Sequence, residues 1–239
     1  MAPFEYDVGR RQSSVSAADL QTTDSALMIH ATDEAGLRKL LLDDQSRRLL
    51  VVLAAVNAGG KDGSIEELQE VLGAEHIRVE RIKRPIVVMR GHDLLRIAEP
   101  LVPAPGEIVI FNRSYYEDAL HAARHERPKV EEMCARIVRF EADLAESGVT
   151  LVKLHLHVDK DEQLRRLDER QRHPHLAHLF NPYDHHDQGH WPELMHAFET
   201  VCGLTHTASS PWFVIPGNDR SFRNAAIRAV LAHRVGERH

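Results

Sequence analysis

The sequence predicts an α/β domain whose central sheet is parallel and is covered by helices on both faces. Short continuous apolar runs alternate along the chain with segments of helical periodicity, and the chain contains no internal repeat. Such a run is typical of a strand buried on both faces, because helices cover each side of a parallel sheet. A glycine-rich break follows the first run directly. At 239 residues, the chain is long enough for one large domain of this class.

Five apolar runs are predicted to be strands. The first is Leu49–Ala55, which is too short to form a helix of its own. The other predicted strands are His76–Ile82, Glu107–Phe111, Val149–Leu156 and Trp212–Pro216. The spacing of apolar residues predicts the helices 33–48, Ser64–Leu72, Leu94–Leu101, Val130–Glu146, Asp161–Gln171, Pro192–Cys202 and Phe222–Ala232.

Composition and charge narrow the class of protein. The net charge of −6 argues against generic electrostatic binding of nucleic acid, which usually requires a basic excess. The two cysteines are too few for a disulfide framework, so a reducing compartment is expected. No apolar run approaches the roughly 18–20 residues of a membrane helix, and the N-terminus lacks a signal-peptide core. We therefore expect a cytoplasmic protein that binds neither nucleic acid nor membranes.

The N-terminal 25 residues differ from the remainder of the chain. They are polar and rich in turn-forming residues, and they show no apolar periodicity. We expect residues 1–25 to form a flexible arm and residues 26–239 to form a single domain.

The glycine-rich break Asn57–Gly63 is a candidate phosphate-binding loop. A strand, a glycine loop and a helix in this order can turn backbone N–H groups toward a phosphate. Lys61 can reach the phosphate oxygens, and the start of the next helix adds a favourable dipole. The segment departs from the usual G-x-x-x-x-G-K-[ST] pattern, with Ala55 at the first glycine and Asp62 at the final hydroxyl residue. A glycine turn with a solvated lysine is the alternative interpretation.

A second motif resembles a known family. The segment Ala104–Asp118 contains F-N-R-S-Y-Y-E-D and resembles the Walker-B region of one branch of the polyphosphate kinase type 2 family. In that branch the phosphate loop is close to D-A-A-G-K-D-G, which Asn57–Gly63 matches at five of seven positions. Further similar segments follow in the same order, so the resemblance extends from about residue 37 to residue 232. They include Phe140-Glu141, Lys160–Gln163, Pro211–Pro216 and Arg223-Asn224.

The resemblance implies a fold and an activity. The fold is a P-loop kinase-like, three-layer α/β/α sandwich with a parallel central sheet and a lid, which would lie at about residues 172–192. The activity is phosphoryl transfer between inorganic polyphosphate and nucleoside mono- or diphosphates, with Mg²⁺ as the cofactor. Family members commonly form dimers or tetramers, so we expect a homo-oligomer.

The resemblance also assigns roles to residues. Lys61 and Arg113 would hold phosphates, and Glu117 and Asp118 would contribute to the Mg²⁺ shell, directly or through water. For that acidic pair, a solvated or capping role at the next helix is the alternative. Catalysis would depend on Lys61, Arg113, Glu117 and Asn57. The predicted phosphate- and nucleotide-binding residues are Ala58, Gly59, Gly60, Lys61, Asp62, Gly63, Ser64, Lys83, Asn112 and Arg113.

Two departures from the family pattern bear on activity. Asn57 replaces an aspartate of the loop, which removes a charge that could bind metal or accept a proton. In the lid, Leu176 and Leu179 stand where the family has lysines. Two hypotheses therefore remain open: a polyphosphate-dependent nucleotide phosphotransferase, or a catalytically degraded member that binds phosphate or nucleotide or acts as an interaction protein.

The lid is unusually rich in histidine. His173, His175, His178, His185, His186 and His190 all lie within it. They could be solvated loop residues, a weak phosphate grip that strengthens as the pH falls toward about 6.5, or ligands for Zn²⁺ or Ni²⁺. The sequence leaves all three interpretations open.

Overall fold

The computed structural model describes residues 34–82, 93–173, 175 and 188–236. The predicted arm, Lys83 and most of the predicted lid lie outside these residues. The strands are β1 (Arg48–Ala54), β2 (Ile77–Glu80), β3 (Ile108–Asn112), β4 (Val149–His157) and β5 (Trp212–Pro216). The helices are α1 (Glu34–Leu42), α2 (Lys61–Leu72), α3 (Leu94–Ala98), α4 (Tyr116–His125), α5 (Val130–Glu146), α6 (Lys160–Arg172), α7 (Trp191–Thr205) and α8 (Arg220–Gly236).

The five strands form one parallel sheet in the order β2-β3-β1-β4-β5. The central strand β1 is paired on both edges, with Val51 opposite Ile110 of β3 and Val152 of β4. Its residues 49–54 are buried, as the continuous apolar run predicted. The parallel α/β sheet expected from the sequence is therefore confirmed.

Alternate residues of β1 pack into two separate hydrophobic cores, one on each face of the sheet. Leu50 and Val52 pack with residues from α3, α4, α5 and α7. Leu49, Val51 and Leu53 pack with residues from α1, α2 and α8. This alternation follows from the two-residue period of a strand, and both cores are apolar because helices cover both faces.

Some element boundaries differ from the predictions for local reasons. The predicted strand His76–Ile82 is reduced to Ile77–Glu80, because residues 74–76 form a 3₁₀ turn after Gly73. The helix expected from Ser64 begins at Lys61, since Gly60 has a left-handed conformation at φ 105° and ends the loop there. None of the helices within the described ranges is both long and apolar enough to cross a membrane.

The core between the sheet and helices α4, α5 and α7 contains a buried ion pair. Lys153 of β4 and Glu141 of α5 are fully buried, and Lys153 Nζ lies 2.7 Å from Glu141 Oε2. The Tyr115 and Tyr116 hydroxyls donate to Glu141 Oε1 over 2.9 and 2.6 Å. Ser210 Oγ donates to Glu141 Oε2, and Lys153 Nζ also donates to Thr205 O. Every charged oxygen and the ammonium of this core ion pair therefore have partners.

Candidate active site

The segment that joins β1 to α2 forms a tight loop at the carboxyl end of the sheet. Ala58 and Gly60 both have left-handed backbone conformations, at φ 59° and φ 105°. At Gly59, an added Cβ would lie 2.8 Å from Ala55 Cβ and 2.9 Å from Val56 O, closer than real Cβ atoms approach such neighbours. The loop therefore requires glycine at residues 59 and 60, as a phosphate-binding turn does.

Lys61 begins α2 and folds back across the loop. Its ammonium donates to Ala55 O over 2.7 Å and to Val56 O over 3.3 Å, and the residue is only 8% exposed. The pKa of Lys61 is lowered to about 8, mainly by burial; the charge of Glu117 opposes this shift, and that of Arg113 contributes to it. A buried cation whose contacts are two neutral carbonyl oxygens is electrostatically suited to an anion.

Arg113 follows β3 and points toward the loop. It has a left-handed backbone conformation at φ 70°, which is uncommon for a residue with a side chain. Its Nη2 donates to Asn57 Oδ1 over 2.8 Å, and its Nη1 lies 3.6 Å from Glu117 Oε2. The structure therefore brings Asn57, Lys61, Arg113 and Glu117 together, which are the four predicted catalytic residues.

A cavity of about 190 Å³ opens beside three of these residues, Asn57, Arg113 and Glu117. One part of its wall is polar, and another part is apolar. Helix α4 contributes several of the lining residues. Phe198 of α7, which also lines the cavity, packs against the buried ring of His155, with the ring centroids 4.3 Å apart. The polar lining residues are Asn57, Arg113, Glu117, His121 and Arg124, and the apolar ones are Ala55, Val56, Leu120, Leu194 and Phe198.

Other predicted site residues have protein partners elsewhere. The Asp118 carboxylate accepts from Leu94 N over 3.4 Å, at the start of α3. Asp62 Oδ1 accepts from Arg81 over 2.6 Å and from Asn112 Nδ2 over 2.8 Å. The Ser64 hydroxyl donates to Gly60 O over 3.1 Å within the first turn of α2. Asp62, Asn112 and Ser64 thus contact the loop and its helix, whereas Asp118 contacts α3.

Two buried arginines contact the loop from the side of α6 and α8. Arg223 of α8 lies against the loop glycines. A Cβ added to Gly60 would be only 2.3 Å from Arg223 Nη1. Arg166 of α6 donates to Ala58 O over 3.2 Å, and also to Gly217 O over 2.6 Å. Burial lowers the pKa of Arg223 to about 10, and the charges of Arg166 and Arg220 act in the same direction.

The comparisons with known proteins identify the family to which this site belongs. Residues 19–239 match the family model described as Polyphosphate kinase 2 (PPK2). The chain belongs to the polyphosphate kinase 2 family. An AMP/ADP-polyphosphate phosphotransferase of Meiothermus ruber is 36% identical over 198 residues, which cover 82% of this chain and 74% of that protein. An ADP-polyphosphate phosphotransferase of Rhodopseudomonas palustris is 29% identical over 213 residues, with 82% and 73% covered.

The fold of the chain is also that of a polyphosphate kinase 2. The crystal structure of polyphosphate kinase 2 from Arthrobacter aurescens TC1 matches with a TM-score of 0.78 at 27% identity, over 100% of this chain and 86% of that one. The family and the kinase-like fold predicted from the F-N-R-S-Y-Y-E-D motif and the loop are therefore confirmed.

The arginines Arg166 and Arg223 were not among the site residues predicted from the sequence. A signal for Arg223 exists, because Ala226, Ile227 and Val230 follow it at helical spacing and are all buried. A charged residue on the buried stripe of a helix requires a specific partner. Gln163 is a third residue that was not predicted: it is fully buried on α6, and its Nε2 donates to Asn57 O over 2.9 Å.

The described residues include part of the histidine-rich lid segment. The rings of His173 and His175 are 5.5 Å apart, and His190 precedes α7. His178, His185 and His186 lie outside the described residues, as do Leu176 and Leu179. Within the described part of the chain, no group of three or more His, Cys, Asp or Glu side chains is arranged to hold a metal ion.

Proposed function

We propose that this polyphosphate kinase 2 family member transfers phosphoryl groups between inorganic polyphosphate and nucleoside mono- or diphosphates. The observation that carries the proposal is the convergence of Lys61, Arg113, Glu117 and Asn57 at the loop, beside a cavity. The names of the M. ruber and R. palustris relatives describe the same reaction class. Phosphoryl transfer depends chiefly on positioning and on neutralising charge, and this site supplies both.

Lys61, Arg113 and the loop amides supply the cationic side of the reaction. The amides at the start of α2 and the Lys61 ammonium would hold one phosphate of the donor. The Arg113 guanidinium, a planar fork between Asn57 and Glu117, would contact the phosphoryl group as it passes to the acceptor. Both cations neutralise negative charge where it accumulates in the transition state.

The cavity next to Arg113 is the proposed acceptor site. Its polar lining, which includes Arg113 and Arg124, suits the phosphates of a nucleotide. Its apolar wall of Leu120, Leu194 and Phe198 offers a surface on which a base or a ribose can pack. Helix α4 therefore serves as the acceptor side.

Glu117 is the residue that best fits a divalent cation such as Mg²⁺. Mg²⁺ prefers oxygen ligands and usually retains waters, with one or two carboxylates and the substrate phosphates. Glu117 is half-buried and faces Arg113 and Lys61, whereas the Asp118 carboxylate contacts the start of α3. The bound ion would neutralise charge on the phosphate oxygens. We propose that Glu117 holds it and that Asp118 supports α3.

The replacement of the loop aspartate by Asn57 is compatible with this reaction. The acceptor atom of a nucleoside mono- or diphosphate is a phosphate oxygen, which is mostly ionised at pH 7 because its second pKa is about 6. Such an oxygen needs no general base. Asn57 instead orients Arg113, and Gln163 holds the Asn57 backbone in place.

A coupled assay with polyphosphate, Mg²⁺ and AMP, ADP, GMP or GDP tests the proposal. We expect turnover by the wild type, a kcat/KM about 10³-fold lower in Lys61→Met, and unchanged turnover by Arg139→Gln, which removes an exposed charge on α5. The proposal fails if the wild type is inactive with every acceptor. Activity that appears only in Asn57→Asp would instead show that the site has lost its catalytic carboxylate.

The proposal also covers the cellular location and the oligomeric state of the protein. We propose a cytoplasmic homo-oligomer that acts on polyphosphate and nucleotides and binds neither nucleic acid nor membranes. Light scattering during size-exclusion chromatography measures the oligomeric state, and a monomer at every concentration would contradict the assembly.

A further inference from the structure

Arg223 of α8 carries a charge that is buried against the loop. Only 3% of the residue is exposed, and within the described part of the chain it makes no ion pair. Its Nε and Nη2 both donate to Asn224 Oδ1, a neutral oxygen, over 3.1 and 2.9 Å. A buried guanidinium is costly unless an anion or several acceptors compensate it. The position therefore favours an anionic ligand.

The guanidinium of Arg223 points across the first turn of α2. A Cβ on Gly60 would lie 2.3 Å from its Nη1, and a Cβ on Gly63 would lie 3.5 Å from its Nη2. Both glycines therefore leave room for this group beside the backbone amides at the start of the helix. An anion held by those amides would be within reach of the same guanidinium.

Two further arginines lie near Arg223, one of which, Arg166, is paired with Glu162. Arg166 and Arg220 are close enough for their charges to act on it, and Asp219 is the carboxylate that opposes them. The side chain of Asp219 accepts from Phe222 N over 2.7 Å and so caps α8. Arg220 is exposed and also makes no ion pair among the described residues. Arg166 donates to three backbone carbonyls and holds the Gly217-Asn218 turn against the loop.

These arginines and the acceptor cavity lie on opposite sides of the loop. The cavity is lined by residues 55–57 of the loop and by residues of α4 and α7, which pack on one face of the sheet. Arg223 approaches Gly60 and Gly63 from α8, which packs on the other face. A phosphate on the loop could thus be reached from either side.

We infer that Arg223, with Arg220 beyond it, binds the donor polyphosphate chain on the α8 side, while the nucleotide enters from the α4 side. Arg166 is a positioning residue for this donor site, because it holds the backbone on which the site is built. The inference rests on the proposed function, and it adds the side of entry and the residues for the donor.

Steady-state kinetics and direct binding test the inference on the full-length protein. Polyphosphate of defined length is the donor probe, and ADP is the acceptor probe. We expect Arg223→Gln to raise both the KM and the Kd for polyphosphate by about tenfold or more, because it removes charge-assisted hydrogen bonds. The KM for ADP should stay within about twofold of the wild-type value, since the acceptor cavity is unchanged. Arg223→Lys should recover part of the lost affinity.

Two further variants control for folding and for charge. Arg220→Gln changes an exposed residue and should raise the KM for polyphosphate by about threefold, even if Arg223→Gln does not fold. Arg139→Gln removes one equivalent charge on α5 and should leave both KM values unchanged.

Several results would overturn the inference. An unchanged KM for polyphosphate in both Arg223→Gln and Arg220→Gln would do so. A rise confined to the KM for ADP would place the acceptor, and not the donor, beside α8. If the wild type shows no turnover, the proposed function is wrong, but the inference about Arg223 can still be tested by measuring polyphosphate binding with calorimetry. In that case, equal affinity in wild type and Arg223→Gln overturns it, and weaker binding by Arg223→Gln supports it.

Discussion

Buried charges occur in two regions of this molecule, and the protein compensates them differently. In the core ion pair, the Glu141 carboxylate contacts one ammonium and three hydroxyl groups, and Lys153 has a further carbonyl partner. At the loop, Lys61 contacts two neutral carbonyls and Arg223 contacts one amide oxygen. Both regions contain charges that are almost completely removed from water.

The difference separates structural charge from functional charge. A buried ion pair whose hydrogen bonds are all satisfied stabilises one arrangement of the core and leaves nothing for a ligand. Buried cations that contact only neutral oxygens lower the stability of the free protein, and an anion recovers that cost when it binds. The core ion pair also supports the site indirectly, because Tyr115 and Tyr116 lie between Arg113 and Glu117 in the chain.

Lys61→Met should produce the largest effect. We expect kcat/KM to fall by about 10³-fold, since a preorganised cation is lost from the site of charge development. Unlike most core substitutions, this one should leave the melting temperature unchanged or raise it, because a desolvated charge is removed. Activity assays and thermal unfolding measure the two effects. A large drop in the melting temperature would show that Lys61 is a structural charge like Lys153.

Lys153→Met should mainly affect stability. It leaves the Glu141 carboxylate buried without its ammonium, and we expect the free energy of unfolding to fall by about 3–5 kcal/mol. The double variant Glu141→Leu with Lys153→Met should recover most of this loss, because no buried charge remains. Urea denaturation measures all three proteins. If the double variant is as unstable as the single one, the pair contributes net stabilisation, and the contrast with the loop cations is weaker than we propose.

The pH dependence of the loop should follow Lys61. Burial lowers the pKa of Lys61 to about 8 in the folded protein, against an ordinary value of 10.5. The ammonium therefore loses its proton as the pH rises through about 8, and polyphosphate affinity should fall by about tenfold between pH 7 and 9. Lys61→Arg should flatten the profile because a guanidinium does not titrate in this range.

The same pKa shift has the opposite effect on stability. Between the folded and the ordinary pKa values of Lys61, the unfolded chain binds more protons, so its contribution to the free energy of unfolding rises with pH. Calorimetric titrations and urea denaturation at matched pH values measure both trends. Affinity and stability that fall together above pH 8 would contradict this assignment.

Asn57→Asp should have the smallest effect. The new carboxylate would lie beside Arg113, with which Asn57 Oδ1 already forms a 2.8 Å hydrogen bond. It would add negative charge near Lys61 and should move the midpoint of the pH profile upward by about half a unit. The measurement is polyphosphate affinity against pH in both proteins. An unchanged midpoint would mean that residue 57 and Lys61 do not interact electrostatically.

The fold and one side of the site could be predicted from the sequence. Buried strands, the loop and the F-N-R-S-Y-Y-E-D motif are local patterns, so Lys61, Arg113 and Glu117 could be identified from short segments. The different environments of Glu117 and Asp118 could not be predicted, because Glu117 faces Arg113 whereas Asp118 contacts Leu94 of α3, which lies 24 residues earlier in the chain.

The proposed donor side, with Arg223, could not be predicted from short segments either. Arg223 and the loop glycines are about 160 residues apart in the sequence, and only the folded chain places one against the other.

The order of the strands has a consequence for how this protein can change. After β1, the chain crosses to β2 and β3 on one side of the sheet, and it reaches β4 and β5 on the other. This reversal leaves a crevice at the carboxyl ends of the strands, where the loop lies. The segments that border this crevice are connections between strands and helices, and they are not part of the sheet. Substitutions in these connections can therefore change which nucleotide or phosphate chain the protein binds. The strand register, which supports most of the stability, stays the same.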